Sequence, residues 1–543
     1  MNTEFSLLDY GIFAAYVVVL ISVGFWVSRS KGEKEKSAEE YFLANKSLPW
    51  WAIGASFIAA NISAEQFIGV SGAGFAGGIA IAVYELMGAL TLVIVAKYFL
   101  PIFLKQGIHT IPEFAERRFS TNLKTILAIF WIGIYVFVNL TTVLFLGGKA
   151  MDTILGTGDG SMVFYAMVGL ALVAVAYSLY GGLAAVAWTD VMQVVLLIVG
   201  GLITTFIALY YVTPSHDIVE GAKHVFESAN SHFDLILSPD HKEYQNLPGI
   251  YVLIGGVWVG NLYYWGFNQY IIQRALAAKS LKEAQHGLVF AGFLKMLMPV
   301  IVVVPGVVAY VMYRENLYGA QEVFELASGG LANDSAYPWL IRTFIPTGLK
   351  GLVVAALAAA IVSSLASMLN STSTIFALDI YKPYFKPQAS EKRIVNVGRI
   401  TAVVALLIAL VIAPLLGSVD QVFQYIQEYT GLATPGILAV FLTGLFWKKA
   451  NNKGAIWGIL VSIPIALFFK FVPGISMPFI DQIFYSMLFS IVVICMVSLS
   501  TNPNDDDPKS IVLTKDLFET DKIFNIGAYA ICLLLVVFYS LFW

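Results

Sequence analysis

Charge is scarce in this chain. Only 12% of its 543 residues are Asp, Glu, Lys or Arg, and 58% are hydrophobic, whereas soluble domains carry about 25% charged residues. That shortage excludes an ordinary soluble protein and implies a polytopic membrane protein. Cysteine is nearly absent. Cys495 and Cys532 both lie in apolar runs far from any histidine cluster, which excludes a disulfide framework and a Cys/His metal centre. The net charge of -3 offers no basic surface for nucleic acid. No motif pairs a nucleophile with a base, so the chain is not expected to be an enzyme and no cofactor is expected. No basic segment precedes the first apolar run, with Glu4 in its place, so that run is read as an uncleaved span.

Long apolar runs are what the chain has instead. They recur at about 8–27, 50–75, 79–104, 124–148, 161–178, 187–212, 249–272, 285–312, 349–374, 394–416, 421–446, 453–471, 480–500 and 523–543, which predicts an all-α protein of about fourteen transmembrane helices. One set of alternate loops holds 22 Lys and Arg residues and the other holds 6. The positive-inside rule therefore places both termini outside and the basic loops in the cytoplasm of a cell inner (plasma) membrane.

One apolar run is too polar at its centre. Between Gly54 and Gly69 it carries Asn61, Ser63, Glu65 and Gln66, flanked by small residues that let neighbouring backbones approach. A helix broken there exposes carbonyls to a cavity. A second Gly-rich, Asn-containing segment, Gly255 to Tyr264, opens the run at 249–272. Two blocks of five spans, each starting with an interrupted helix, predict a five-plus-five inverted repeat with its binding site near the midplane. The resulting division is an extra N-terminal helix and basic loop (1–49), repeat one (50–212), an outer loop (213–248), repeat two (249–446) and three peripheral helices (447–543).

Ionisable residues within spans are costly and mark function by default. Glu65, Glu85, Lys295 and Glu428 are the deeply placed ones, and Glu85 with Lys295 is read either as a binding pair or as an ordering salt bridge. The amides Gln66, Asn139, Asn261 and Gln427, with the rings of Tyr84, Tyr264 and Phe423, suit a sugar, whose hydroxyls both donate and accept and whose C–H face lies on an aromatic ring. Ser363 and Ser364 sit in an Ala/Ser-rich span. With carbonyls of Ala59, Ile62 and Ala360 their hydroxyls form a plausible oxygen cage for an alkali cation, although a small-residue stripe also serves simply to pack helices.

The stretches 39–56 and 59–69, the run Tyr180-Gly-Gly-Leu, Trp188-Thr-Asp190, and the segments 261–274, 358–371 and 423–431 together resemble the solute:sodium symporter family, in particular its sodium/galactose and sodium/glucose members. The resemblance runs nearly end to end. It implies a LeuT-like core, and a secondary active transporter that couples inward sodium flow to uptake of a neutral hexose, galactose or glucose, by alternating access. Carried over position by position, it implies sugar contacts at Gln66, Glu85, Asn261, Lys295 and Gln427. Tyr264 would be the inner stacking gate, and Tyr84, Phe423 and Val70 would stand at the outer gate. Sodium ligands would be the Ala59, Ile62 and Ala360 carbonyls and the Ser363 and Ser364 hydroxyls, with Asp190 on the exit route. Two positions depart from the family pattern: Gly88 replaces a serine and Val70 a methionine. The alternatives are another neutral solute such as myo-inositol, or a transporter-like sugar sensor. A channel is disfavoured because the polar residues cluster at one depth instead of forming a continuous stripe.

Overall fold

In a computed structural model of the chain, the described residues are 5–28, 46–108, 110–156, 160–326, 330–418, 422–472, 477–502 and 505–543. The basic residues Arg29, Lys31, Lys34 and Lys36 and the 39–45 part of the family-like stretch lie outside them. Among the described residues the architecture is helical, with isolated bridges only at Leu48–Ala278 and Glu325–Leu331. Ten helices are long and apolar enough to cross a membrane, and eleven when the bent pair Val422–Thr430 and Thr434–Phe446, kinked by 48°, is one span. The three remaining runs of the sequence, 50–75, 161–178 and 249–272, fall where helices are short or interrupted.

The helices that build the site can be taken in order. α1 (Leu7–Ser28) is largely exposed along its apolar face. α2 (Trp50–Asn61) ends at Ile62, whose backbone is extended at φ -73° and ψ 101°. A wide-turn segment, Glu65–Val70, restarts the helix and continues into α3 (Ser71–Gly77). The chain then turns at Gly78, which has φ +79°, a conformation open to glycine at little cost. α4 (Val83–Ile94) follows, and α5 (Thr141–Leu155) continues the span that starts at Thr121.

α6 (Val163–Tyr211) is helical along 49 residues, and its two apolar stretches, Val163–Ala176 and Val186–Tyr211, correspond to the runs expected at 161–178 and 187–212.

The second half is interrupted twice. A short helix, Tyr251–Ile254, breaks at Gly255 (φ -115°, ψ -128°), within the Gly-rich segment where the sequence places the interruption, and α7 (Gly256–Phe267) then breaks again at Asn268, before α8 (Gln269–Leu276). Asn268 is extended at φ -78° and ψ 116°, close to the dihedrals of Ile62. The amide of Asn268 accepts a hydrogen bond from the Tyr135 hydroxyl, which holds the unwound backbone in place. α9 (Leu281–Met298), the almost wholly buried α10 (Leu349–Ile375), α11 (Glu391–Ile412), α12 (Val422–Thr430) and α13 (Thr434–Phe446) complete the core. α14 (Asn452–Phe471), α15 (Phe479–Thr501) and α16 (Lys522–Leu541) follow, with mostly exposed apolar faces.

Helix starts next to loops are capped by side chains, as at Ser120, Ser280, Ser390, Asn451 and Asp521. At the first break Ser63 takes this part, its Oγ accepting from the Glu65 backbone N–H at 3.0 Å, while the restarts at Gly255 and Asn268 have no side-chain cap.

Candidate functional site

The first break lies at the edge of a cavity lined by Asn61, Glu65, Gln66, Tyr84, Glu85, Asn261, Tyr264, Trp265, Lys295, Phe423, Gln427 and Thr430, among others. The structure thus brings Gln66, Glu85, Asn261, Lys295, Gln427, Tyr264, Tyr84 and Phe423 to one place from five separate helices. Val70 and Asn139 are buried nearby but do not line it.

Lys295 and Glu85 form an ion pair, each side chain 2% exposed. The same ammonium donates to the Asn61 carbonyl oxygen and lies 5.3 Å from the centre of the Trp265 ring. Such desolvated contacts are what an intramembrane ammonium requires. Asn61 in turn donates to the Tyr264 hydroxyl at 3.1 Å, which also accepts from Tyr270 at 2.8 Å. Tyr264 is therefore held against the broken helix. Trp265 Nε1 donates to Asn261 Oδ1 at 3.1 Å, leaving Asn261 Nδ2 free of any partner. Gln66 Oε1, the Tyr84 hydroxyl and Thr430 Oγ1 are likewise buried without partners. On one side of the cavity the rings of Tyr84 and Phe423 meet edge to face at 5.6 Å.

Asn61, Trp265 and Thr430 are site residues that the sequence reading left out. The signal for Asn61 was present, as the only amide at the end of α2. Nothing in the sequence singled out Trp265, whose role depends on packing between α7 and α9. Glu428 corrects the sequence reading in the other direction. It is not deeply placed: its side chain is 40% exposed and pairs with Lys470 at 3.1 Å, because α12 is amphipathic and turns this position away from the cavity. Gly88 does not line the cavity either. A Cβ there would lie 3.1 Å from Trp265 Nε1, 3.2 Å from Asn261 Oδ1 and 3.4 Å from Lys295 Cε, so position 88 presses on the cavity wall from behind.

The expected ion ligands fall on α10 and on the end of α2. Ser364 Oγ donates to the Ala60 carbonyl at 3.3 Å, which places it against the α2 end that also carries Ala59 and Ile62. Ser363 Oγ donates to Asp190. Asp190, fully buried, also accepts from Ser56 Oγ at 2.5 Å and pairs with Arg274 at 3.0 Å. Arg274 reaches Ser367 at 2.6 Å as well. One buried network therefore connects α2, α6, α8 and α10, including parts of both interrupted helices. A hydroxyl that gives its proton to Asp190 keeps its lone pairs for a cation, the way outer partners orient metal ligands elsewhere.

Comparison with known proteins gives consistent results. The model of the sodium:solute symporter family matches residues 41–462. The sodium/glucose cotransporter of Vibrio parahaemolyticus is 59% identical over 542 residues, covering 99% of this chain and 98% of that protein. The human sodium/myo-inositol cotransporter 2 is 32% identical, covering 90% of this chain and 76% of its own length. Among solved structures, a Na+-coupled sialic acid symporter in a substrate-bound outward-open state has the same fold. It matches with a TM-score of 0.77 and 24% identity, over 91% of this chain and 98% of that one.

Proposed function

The chain belongs to the sodium:solute symporter family and is a multi-pass, sodium-coupled solute symporter, and from that premise we propose that its solute is a neutral hexose, galactose or glucose. The observation that carries this reading is the cavity beside the first break. There a buried Lys295–Glu85 pair, the amides of Gln66, Asn261 and Gln427, and the rings of Tyr264, Tyr84 and Phe423 converge. Its partnerless groups include an acceptor (Gln66 Oε1), a donor (Asn261 Nδ2) and two hydroxyls. A polyol satisfies both kinds at once, because each hydroxyl donates and accepts. The similarity to a sodium/glucose cotransporter supports the same choice. The similarity to myo-inositol cotransporters keeps that cyclic polyol as the second reading.

Sodium, in this proposal, is held by the carbonyls of Ala59, Ile62 and Ala360 and the hydroxyls of Ser363 and Ser364, one ion per cycle. Its binding joins the end of α2 to α10 and so stabilises the shape of the broken helix that presents Gln66 to the sugar. Loss of sodium on the inner side, past Asp190, loosens both sites together, which is coupling by differential affinity for two conformations. One charge moving inward supplies about 2.3 kcal/mol per 100 mV. Tyr264 serves as the inner gate, and Tyr84, Phe423 and Val70 as the outer one. The proposal also includes fourteen crossings of the plasma membrane and both termini outside. The similar dihedrals at Ile62 and Asn268 support five-plus-five inverted repeats over 50–212 and 249–446, with 1–49, the 213–248 loop and 447–543 added around them.

The test is uptake of labelled galactose, glucose and myo-inositol into proteoliposomes with and without an inward sodium gradient. Sodium-dependent accumulation of a hexose is expected. Accumulation of none of the hexoses, or equal uptake without sodium, would overturn the reading.

A further inference from the structure

The carboxylates around the cavity are not all neutralised. Glu85 meets Lys295, and Glu428 meets Lys470. Glu65 lines the same cavity yet forms no ion pair among the described residues. Its hydrogen-bond donor is the Thr142 hydroxyl, 3.4 Å from Oε1. That hydroxyl has a single proton, and it lies closer to two carbonyls, 2.7 Å from Val138 and 3.1 Å from Asn139. The carboxylate therefore receives the weakest share of one donor. An enclosed carboxylate is costly unless a cation or several donors face it.

The surplus of acceptors extends beyond Glu65. Gln66 Oε1, the next side chain along, is buried without a partner, and so is Asn139 Oδ1, three residues before Thr142 on the facing helix. The other ionisable groups at this end of the cavity do not compensate. Lys295 is committed to Glu85 and Asn61, and the hydroxyls of Tyr270, Tyr264 and Asn61's amide bond one another in a chain. An ammonium group is the complement of this corner, since it brings three donors, no acceptor and one positive charge.

We propose that Glu65 gives the cavity a subsite for an ammonium group, so that the protein binds and takes up protonated aminohexoses, such as galactosamine, alongside neutral hexoses. The inference rests on the hexose reading of the cavity. An aminohexose keeps the ring and the remaining hydroxyls for Asn261 and Gln427, and exchanges one hydroxyl for the cation that Glu65 lacks.

Calorimetric titration of the purified protein in sodium, with galactosamine, galactose and N-acetylgalactosamine each as the sole ligand, tests this. Wild type should bind galactosamine at least as tightly as galactose. In Glu65→Gln the galactosamine-to-galactose affinity ratio should fall about tenfold, the size of one lost charge-assisted hydrogen bond. Glu65→Asp, which keeps the charge, should lose less, and the uncharged N-acetyl sugar should show no such preference for the carboxylate. Wild type that binds galactose but not galactosamine refutes the subsite without any variant, and so does an unchanged ratio in Glu65→Gln. Binding of galactosamine but not galactose would instead overturn the neutral-hexose reading and leave the subsite standing.

Discussion

Lys295 is the residue on which most of the cavity depends, because its ammonium contacts Glu85, Asn61 and the Trp265 ring from a position that is 2% exposed. Removing one member of such a pair leaves an uncompensated buried charge, a loss of about 3 to 5 kcal/mol. Lys295→Ala and Glu85→Ala should each abolish most hexose uptake. A pair that only ordered the bundle would instead give poorly folded protein whose surviving fraction titrates sugar normally. The two serines differ in their surroundings. Ser363 is oriented by Asp190, whereas Ser364 faces the α2 carbonyl of Ala60. Each alanine variant should raise the sodium concentration for half-maximal uptake by a few-fold, about 1 kcal/mol for one lost ligand contact, with Ser363→Ala the larger effect. Wild-type sodium dependence in both singles and the double would remove these residues from the ion site.

Gly88 acts at one remove from the sugar. A serine there would compete with Trp265 for Asn261 Oδ1, since the Cβ alone comes within 3.2 Å of that oxygen. Gly88→Ser should therefore change the galactose-to-glucose uptake ratio a few-fold by redirecting the Asn261 amide. An unchanged ratio with intact uptake would show that Asn261 does not discriminate the epimers. This is also where reading the sequence fell short. Helical spacing placed position 88 on the face of Glu85, but only packing shows that α7 and α9 side chains stand between it and the cavity.

At the scale of elements, the 213–248 loop does more than connect. His232 stacks on Tyr310 with ring centres 3.9 Å apart, and its backbone occupies the space where a side chain at Gly78 would project. The loop thereby packs onto the turn between α3 and α4. Burial pushes the His232 pKa down from 6.5 to about 4, and the nearby Lys242 and His241 add to the effect. A folded pKa below the unfolded one means that the neutral form is the one the fold accepts. The associated stability is complete above the unfolded value of 6.5 and is lost as pH falls toward 4. At pH 5 the loss is about 2 kcal/mol. Thermal stability measured from pH 7 to pH 5 should drop, and His232→Phe, which keeps the ring stack without the titration, should flatten the drop. Identical pH profiles for the two proteins would mean that another group carries the effect.

Element by element, the sequence was most legible where apolar length alone decides. The long runs from 285 onward, apart from the kinked 421–446 pair, match single helical spans. It was least legible at helix ends inside the core. The break at Asn268 depends on the Tyr135 hydroxyl from a helix 133 positions away in the chain. In contrast, the break after Asn61 was readable, since four polar side chains in the middle of an apolar run leave few other solutions.

For the whole molecule, the proposed orientation in the membrane rests on loop charge. Basic side chains of the richer loop set are anchored to helix ends on one face. Arg118 donates to the carbonyls of Gly444, Trp447 and Ala450 at the end of α13, and Lys124 pairs with Glu116 at 2.5 Å. Glu116 is held below the usual carboxylate range chiefly by Lys124, against the opposing cost of burial. These charges are built into the bundle, and the asymmetry of 22 against 6 basic residues is what the proposed orientation rests on. Single cysteines placed at Lys223, in the 213–248 loop, and at Lys392, at the start of α11, distinguish the two possibilities in a background lacking Cys495 and Cys532. A membrane-impermeant maleimide applied to intact cells should label position 223 and spare position 392 until the membrane is opened. The reverse pattern would invert the orientation, and with it the assignment of Tyr264 to the inner gate and of Tyr84 and Phe423 to the outer one.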